Sequence, residues 1–191
     1  MEIPLYEENG ITFACLAYTQ YTNGIPTPAD SPAHVILTSE TDLIEAQIKK
    51  ARTLADVVLV SVHWGTEDSH TVTDGQKFLA QQMADWGADL IIGTHPHVLQ
   101  SAQWLDCQDG RHSFVAYSLG NFVSAQSKPD QLIGAVFSCT FEKDSSGKVE
   151  LQEPRFYPVV THYGAGYSNI KVWFLEDYTA DQALSHGVRT D

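Results

Sequence analysis

The sequence is poor in the residues that define several protein classes. Among its 191 residues there are three cysteines, Cys15, Cys107 and Cys139, an odd number without a Cys-x-x-Cys spacing. Neither a disulfide framework nor a zinc site built from thiolates is therefore indicated. Cys15 and Cys139 lie in strand-like runs, where free cysteine usually packs as a small apolar residue, so we expect both in the core.

Long apolar runs are also missing. No window approaches the about 18 consecutive apolar residues of a membrane-spanning helix, so no transmembrane segment is expected. The first ten residues, MEIPLYEENG, have neither a basic start nor an apolar segment, so no signal peptide is indicated. The length fits a single domain over residues 1–191, with a β-rich part from about residue 100.

Basic residues are scarce. Lysine and arginine together number 11, against 24 aspartates and glutamates, which gives a formal net charge of −13. An acidic surface repels nucleic acid and anionic lipid, so neither is expected as a partner. A negatively charged ligand would need a bound cation that reverses the electrostatic field locally.

Apolar patterns alternate between strand and helix periods in the first half of the chain. Val57–Val62 and Leu90–Ile92 are short, continuous apolar runs, typical of strands that are covered on both faces. The segments 39–55 and 73–87 have the spacing of helices, and 10–19 has that of a further strand. This order favours an α/β fold with a parallel sheet and helical crossovers.

Local signals mark helix ends and turns. Ser39, Thr41 or Asp42 could cap the first helix, and Gly87 follows the second helix, where a C-terminal glycine is expected. After about residue 100 the pattern changes to shorter strands, and the segment 143–148, KDSSGK, predicts a hairpin turn between two of them.

Histidines follow the two apolar runs at their carboxyl ends. His63 comes directly after Val57–Val62, while His95 and His97, separated by a proline, follow Leu90–Ile92. In open α/β sheets, ligands bind just beyond the carboxyl ends of the strands. If the two strands are neighbours, three imidazoles meet at one edge, and imidazole is a ligand that suits Zn, Fe, Mn or Ni. We therefore predict a metal site formed by these three histidines.

Two further residues are candidates for chemistry at this edge. Glu67 lies four residues after His63 and either acts as a general acid or base, supports a ligand, or is a solvated loop residue. Asn121, in the stretch YSLGNF, either orients a histidine ring, contacts substrate, or serves a turn beside Gly120. Arg111 and Arg155 are candidate anion contacts. Four other histidines are expected on the surface or in loops: His70, His112, His162 and His186.

Three motifs together resemble a known family. They are VVLVSVHWGTE, GADLIIGTHPHVLQ and FVAYSLGNFV. In order and spacing they are similar to the C-terminal half of the CapA-type poly-γ-glutamate capsule-biosynthesis proteins, which belong to the calcineurin-like metallophosphoesterase superfamily. The resemblance runs from about Gly10 to about Pro158, although the family often has a histidine where this chain has Thr94.

The resemblance implies a fold, a metal site and a place of action. The fold would be the C-terminal half of a metallophosphoesterase-like β-sandwich flanked by helices. Divalent ions (Mn, Zn or Fe) would lie at one sheet edge, with His63 and His95 sharing one ion and His97 contacting the second. The family also implies an extracytoplasmic location at the cell envelope, with the envelope polymer or its precursor as a partner.

The remaining superfamily ligands have no counterpart ahead of these histidines. No Asp-x-His, Gly-Asp or Gly-Asn-His motif precedes His63. We therefore expect a half domain that associates with a missing N-terminal half or with another copy, and that has little phosphoesterase activity alone. Three hypotheses follow: a metal-dependent hydrolase or transferase completed by that half, a non-catalytic assembly or binding component, and an inactive truncated fragment.

Overall fold

A six-stranded mixed sheet forms the centre of the molecule. The computed structural model describes residues 2–31 and 33–188. The strands of the central sheet are β1 (Leu5–Glu8), β2 (Ile11–Thr19), β3 (Val57–His63), β4 (Leu90–Thr94), β5 (Ala102–Asp106) and β6 (His112–Ala116). Their order is β1-β2-β3-β4-β6-β5, in which β2, β3, β4 and β6 are parallel and the two edge strands are antiparallel.

Two helices cover one face of this sheet. They are α1 (Thr41–Arg52) and α2 (Asp74–Trp86), and a short helix α3 (Ala180–Leu184) lies near the C terminus. Ile48 of α1 and Met83 of α2 are fully buried and share one core cluster with Val60 of β3 and Ile91 of β4. In the described part of the chain, no helix has the length and apolar character needed to cross a membrane.

A second, antiparallel sheet covers part of the opposite face. Its strands are β7 (Ile133–Lys143), β8 (Val149–His162) and β9 (Lys171–Phe174), in that order. Phe137 of β7 stacks on Phe114 of β6 with ring centroids 5.6 Å apart, and Leu151 of β8 is buried in the same cluster. The predicted α/β fold, with a β-sandwich flanked by helices, is confirmed.

The turns and helix ends follow local chemistry in most places. The hairpin turn predicted at 143–148 connects β7 and β8, and Gly87 ends α2 with φ 129°. The predicted caps of α1 are wrong, because its N-cap is Glu40. The Glu40 carboxylate accepts hydrogen bonds from the backbone N–H of Leu37 and from the His34 ring, so it holds the preceding loop rather than the first turn of the helix.

The core position predicted for Cys15 is wrong. Its side chain is exposed, as are those of Ala17 on the same strand and Ser61 on β3, whereas Cys139 is half-buried. These three exposed residues alternate with side chains that face the helices, so they lie on the face of the central sheet that the second sheet covers only in part. We call them the uncovered face.

Candidate metal centre

The parallel pairing of β3 and β4 brings their carboxyl ends together. The register places His63 opposite Thr94, so the turn that carries His95 and His97 begins beside His63. The ring centroids of His63 and His95 are 4.3 Å apart, and those of His95 and His97 are 6.1 Å apart. The structure therefore brings together the three histidines that the strand pattern singled out.

The turn between β4 and the following segment has a strained backbone. His95 has φ 101° and His97 has φ 61°, values that are uncommon for residues other than glycine. Such conformations persist only where the surroundings impose them, and they concentrate at functional sites. Two backbone hydrogen bonds hold this turn: Trp64 N–H donates to Thr94 O (3.1 Å), and Asp68 N–H donates to Pro96 O (2.9 Å).

Gly93 allows a close approach just before the turn. A Cβ atom at this residue would lie 1.9 Å from the carbonyl oxygen of Tyr117, which accepts a hydrogen bond of 3.0 Å from the indole of Trp64. The absence of a side chain at Gly93 therefore brings the end of β4 against the segment that follows β6.

A carboxylate joins the histidines. One ligand atom each from Glu67, His95 and His97 lie within 4.8 Å of one another, with Glu67 exposed and the two rings half-buried. His63 lies beside this group through its contact with His95. Glu67 was predicted as an acid, a base, a supporting group or a solvated loop residue. Its carboxylate is exposed and lies close enough to the two rings to bind the same cation.

Hydrogen bonds fix the tautomers of two rings. His97 Nδ1 lies 2.9 Å from Asn121 Oδ1, and Asn121 Nδ2 donates to Gln131 O (2.9 Å), which leaves the amide oxygen to accept from the ring. Thr19 Oγ1 donates its proton to Tyr21 O (2.7 Å), so it accepts from His63 Nδ1 at 3.3 Å. Both rings therefore carry their proton on Nδ1 and present the Nε2 lone pair.

The surroundings also favour neutral rings. Partial burial lowers the pKa of His63 and of His95, and the neighbouring imidazoles lower it further. A neutral imidazole is the form that binds metal ions. An open cavity of about 530 Å³ lies beside the cluster and includes Gln20, Tyr21 and Glu67 in its lining.

The other candidates lie elsewhere or are already paired. Arg111 forms ion pairs with Asp89 and Asp109, and Arg155 pairs with Glu153, so both guanidinium groups are engaged by carboxylates. His70 and His112 are exposed, as predicted. His186 lies in a loop, as predicted, and His162 ends β8. Both are half-buried, and their rings pack against each other with centroids 4.9 Å apart.

Sequence reasoning missed three residues near the cluster. Thr19 holds the ring of His63, Gln131 holds the side-chain amide of Asn121, and Asp68 holds the backbone of the histidine turn. Asp68-Ser69-His70 does have the order Asp-x-His, but it follows His63, and Asp68 is bonded to Lys128 and Gln131. No local pattern marks Gln131, which lies in a short turn of 3-10 helix, Pro129–Leu132.

Comparison with known proteins gives a family model, curated relatives and a related fold. Residues 2–126 match a family model described as "Bacterial capsule synthesis protein PGA_cap". The chain is 32% identical over 151 residues to "PGA biosynthesis protein CapA" of Bacillus subtilis (strain 168), covering 78% of the chain and 38% of that protein. It is 37% identical over 123 residues to "Capsule biosynthesis protein CapA" of Bacillus anthracis, covering 62% of the chain and 28% of that protein.

A solved structure shares the fold. It is a crystal structure described as "Putative 5'-Nucleotidase from Staphylococcus aureus in complex with alpha-ketoglutarate", with a TM-score of 0.53 and 13% sequence identity. The match covers 82% of this chain and 29% of that one. The likeness concerns the fold alone, and in all three comparisons the chain corresponds to well under half of the longer protein.

Proposed function

Because this chain belongs to the family of bacterial capsule synthesis proteins matched by the PGA_cap model, we propose that its histidine cluster binds a divalent metal ion and serves the biosynthesis of an envelope polymer. The observation that carries this proposal is the convergence of Glu67, His95 and His97, whose ligand atoms lie within 4.8 Å of one another. Imidazole and carboxylate donors together suit Mn²⁺, Fe²⁺ and Zn²⁺.

The donor set fits one ion better than two. Three ligands from Glu67, His95 and His97 leave open positions for water or substrate, and the Nε2 atom of His97 is free to bind. The family resemblance implies a different arrangement, in which His63 and His95 share one ion and His97 contacts a second. Two ions would lack charge balance, because the cluster brings a single carboxylate against two dications.

Several residues of the chain would have separate roles at such a metal site. A bound ion would polarise a phosphoryl or carbonyl oxygen and lower the pKa of a bound water. Asn121 keeps the Nε2 atom of His97 available. Glu67, where it does not bind the ion, is placed to accept a proton in the open cavity. Tyr21, with its ring centroid 5.5 Å from that of His95, forms a wall against which substrate would lie.

Two classes of function follow from this arrangement. The first is a metal-dependent hydrolase or transferase that acts on an envelope polymer or its precursor outside the cytoplasm. The second is a non-catalytic assembly or binding component, which the single carboxylate favours. In either case the uncovered face and the exposed edge strand β1 support association with another copy or with further protein of the same family.

Titration calorimetry tests the metal site. We expect weak, saturable binding of Mn²⁺ and Zn²⁺ that is lost in His95→Ala and in His97→Ala. His112→Ala is the matched control, because His112 is exposed and pairs with Asp106 on the strand pair β5–β6. Equal binding by the wild type and both cluster variants would contradict the proposal.

Turnover separates the two classes. With Mn²⁺ or Zn²⁺ and a simple phosphodiester substrate, we expect little or no hydrolysis by this chain. Hydrolysis by the wild type that is lost in His95→Ala would show that one carboxylate suffices and would favour the enzyme.

A further inference from the structure

A closed ring of hydrogen bonds runs through His97. It passes from Asp68 to Pro96, along the chain to His97, from the His97 ring to Asn121, from Asn121 to Gln131, and back to Asp68. Three separate loops contribute to it, which follow β3, β4 and β6 in the central sheet. The ring therefore holds both the backbone and the side chain of one histidine.

Asp68 acts on the backbone side of this ring. Its N–H donates to Pro96 O at 2.9 Å, between the two strained histidines. Asp68 itself has φ 61°, a conformation that aspartate and asparagine tolerate better than most residues. Its carboxylate accepts hydrogen bonds from Gln131 Nε2 and Lys128 Nζ, so the loop that carries it is fixed at two points.

Gln131 acts on the side-chain side. The residue is 6% exposed, its carbonyl oxygen accepts from Asn121 Nδ2 at 2.9 Å, and its side chain donates to Asp68. The bond to the Gln131 carbonyl decides which end of the Asn121 amide faces His97. Displacement of Gln131 would allow that amide to turn and present its NH₂ group, which would favour the opposite tautomer of His97.

We infer that Asp68 and Gln131 are positioning residues that hold His97 with its proton on Nδ1 and its Nε2 lone pair aimed at the Glu67–His95 cluster. The metal-binding part of this inference rests on the function proposed above, whereas the tautomer of His97 is a property of the metal-free chain. Groups that orient a metal-binding histidine through its other ring nitrogen commonly change metal affinity by about 10–100-fold when they are removed.

Lys128 is the minor member of the network. Its side chain is 64% exposed, and exposed ion pairs contribute little because solvent screens them. The structural requirement lies in the hydrogen bond that the Gln131 amide donates to the Asp68 carboxylate. An asparagine at residue 68 would keep an oxygen acceptor for that bond, while it would lose the negative charge and with it the pairing with Lys128.

Four variants separate these roles. Asp68→Gly removes the carboxylate without strain at positive φ, and Gln131→Met keeps the shape of the side chain but removes its donor. Asp68→Asn is the conservative variant, and Gln47→Met, on α1, is the matched control. The tautomer of His97 is measured in the metal-free protein by long-range ¹H–¹⁵N correlation, and Zn²⁺ affinity is measured by calorimetry.

We expect Asp68→Gly and Gln131→Met to mix the two tautomers of His97 and to weaken Zn²⁺ binding by about 10–100-fold. Asp68→Asn should stay within about fivefold of the wild type, and Gln47→Met should match it. An unchanged tautomer in Gln131→Met would overturn the inference. If the wild type binds no metal, the proposed function fails, and the tautomer measurement still decides the positioning role.

Discussion

At residue 95 we expect glycine to give a more stable protein than alanine, the reverse of the order in which these residues usually stabilise a fold. His95 has φ 101°, where a Cβ atom is strained and glycine is not. Both substitutions remove the same imidazole, so the loss of its contacts with His63 and Tyr21 cancels in the comparison. The difference between the two variants then isolates the backbone.

The size of the difference follows from two opposing effects. A non-glycine residue in a sparsely populated backbone region costs about 1–3 kcal/mol. Glycine also gives the unfolded chain more conformational freedom, which lowers the free energy of unfolding of the glycine variant by about 0.5–1 kcal/mol. His95→Gly should therefore be more stable than His95→Ala by about 0.5–2 kcal/mol, which corresponds to a Tm higher by about 1–8 °C for a chain of this size.

Urea unfolding and thermal melting measure this difference. The same pair of substitutions at Gln47, in the helix α1, is the control, and there alanine should be more stable by about 1 kcal/mol. Both variants at residue 95 should lose metal binding to the same extent. If His95→Ala were as stable as His95→Gly, the backbone at residue 95 would not be strained. That result would refute the claim that the surrounding structure imposes a strained conformation on this turn.

Three other changes test the site and its supports. Gly93→Ala would place a Cβ atom 1.9 Å from the carbonyl oxygen of Tyr117, so we expect the free energy of unfolding measured in urea to fall by about 1–3 kcal/mol. Gly75→Ala is the control, because the added Cβ atom would have no neighbour closer than 4.0 Å, and it should be neutral or stabilising. Asn121→Ala should weaken Zn²⁺ binding by about 10–100-fold in calorimetry, with a much smaller effect on the fold; an unchanged affinity would contradict its role. Burial lowers the pKa of His63 and His95, so the unfolded chain takes up protons before the folded chain as the pH falls through about 6.5. The free energy of unfolding should therefore decrease below that pH, and it should decrease less in His95→Asn. Equal dependence on pH in the wild type and the variant would refute this.

The parallel core could be predicted from the sequence because its signals are local. Continuous apolar runs at Val57–Val62 and Leu90–Ile92, separated by a segment of helical spacing, leave few alternatives to neighbouring parallel strands. Once the strands are neighbours, their carboxyl ends share one edge, and the histidines that follow them must meet. The position of the candidate site therefore follows from the strand order, which the sequence pattern predicts.

The supports of the site could not be predicted in the same way. Gln131 and Asp68 reach the histidine turn from loops, where no periodicity restricts the direction of a side chain. The burial of Cys15 depended on how far the second sheet extends over the first, which is a property of the packing of two sheets and not of strand β2 itself. The positive φ angles of His95 and His97 could not be predicted either, because they depend on the contacts that the turn makes in the folded structure.

The uncovered face gives the molecule a chemical reporter of its own. Of the three cysteines, Cys15 is exposed on this face, Cys107 is buried and Cys139 is half-buried, and burial raises the pKa of the latter two thiols. The thiolate is the form that attacks alkylating reagents, and it must be accessible to them, so Cys15 should react well before the others in the native protein. A polypeptide that lies against the uncovered face would slow the alkylation of Cys15 and leave the labelling of Cys107 unchanged. This holds for a second copy of the chain and for another protein of the same family.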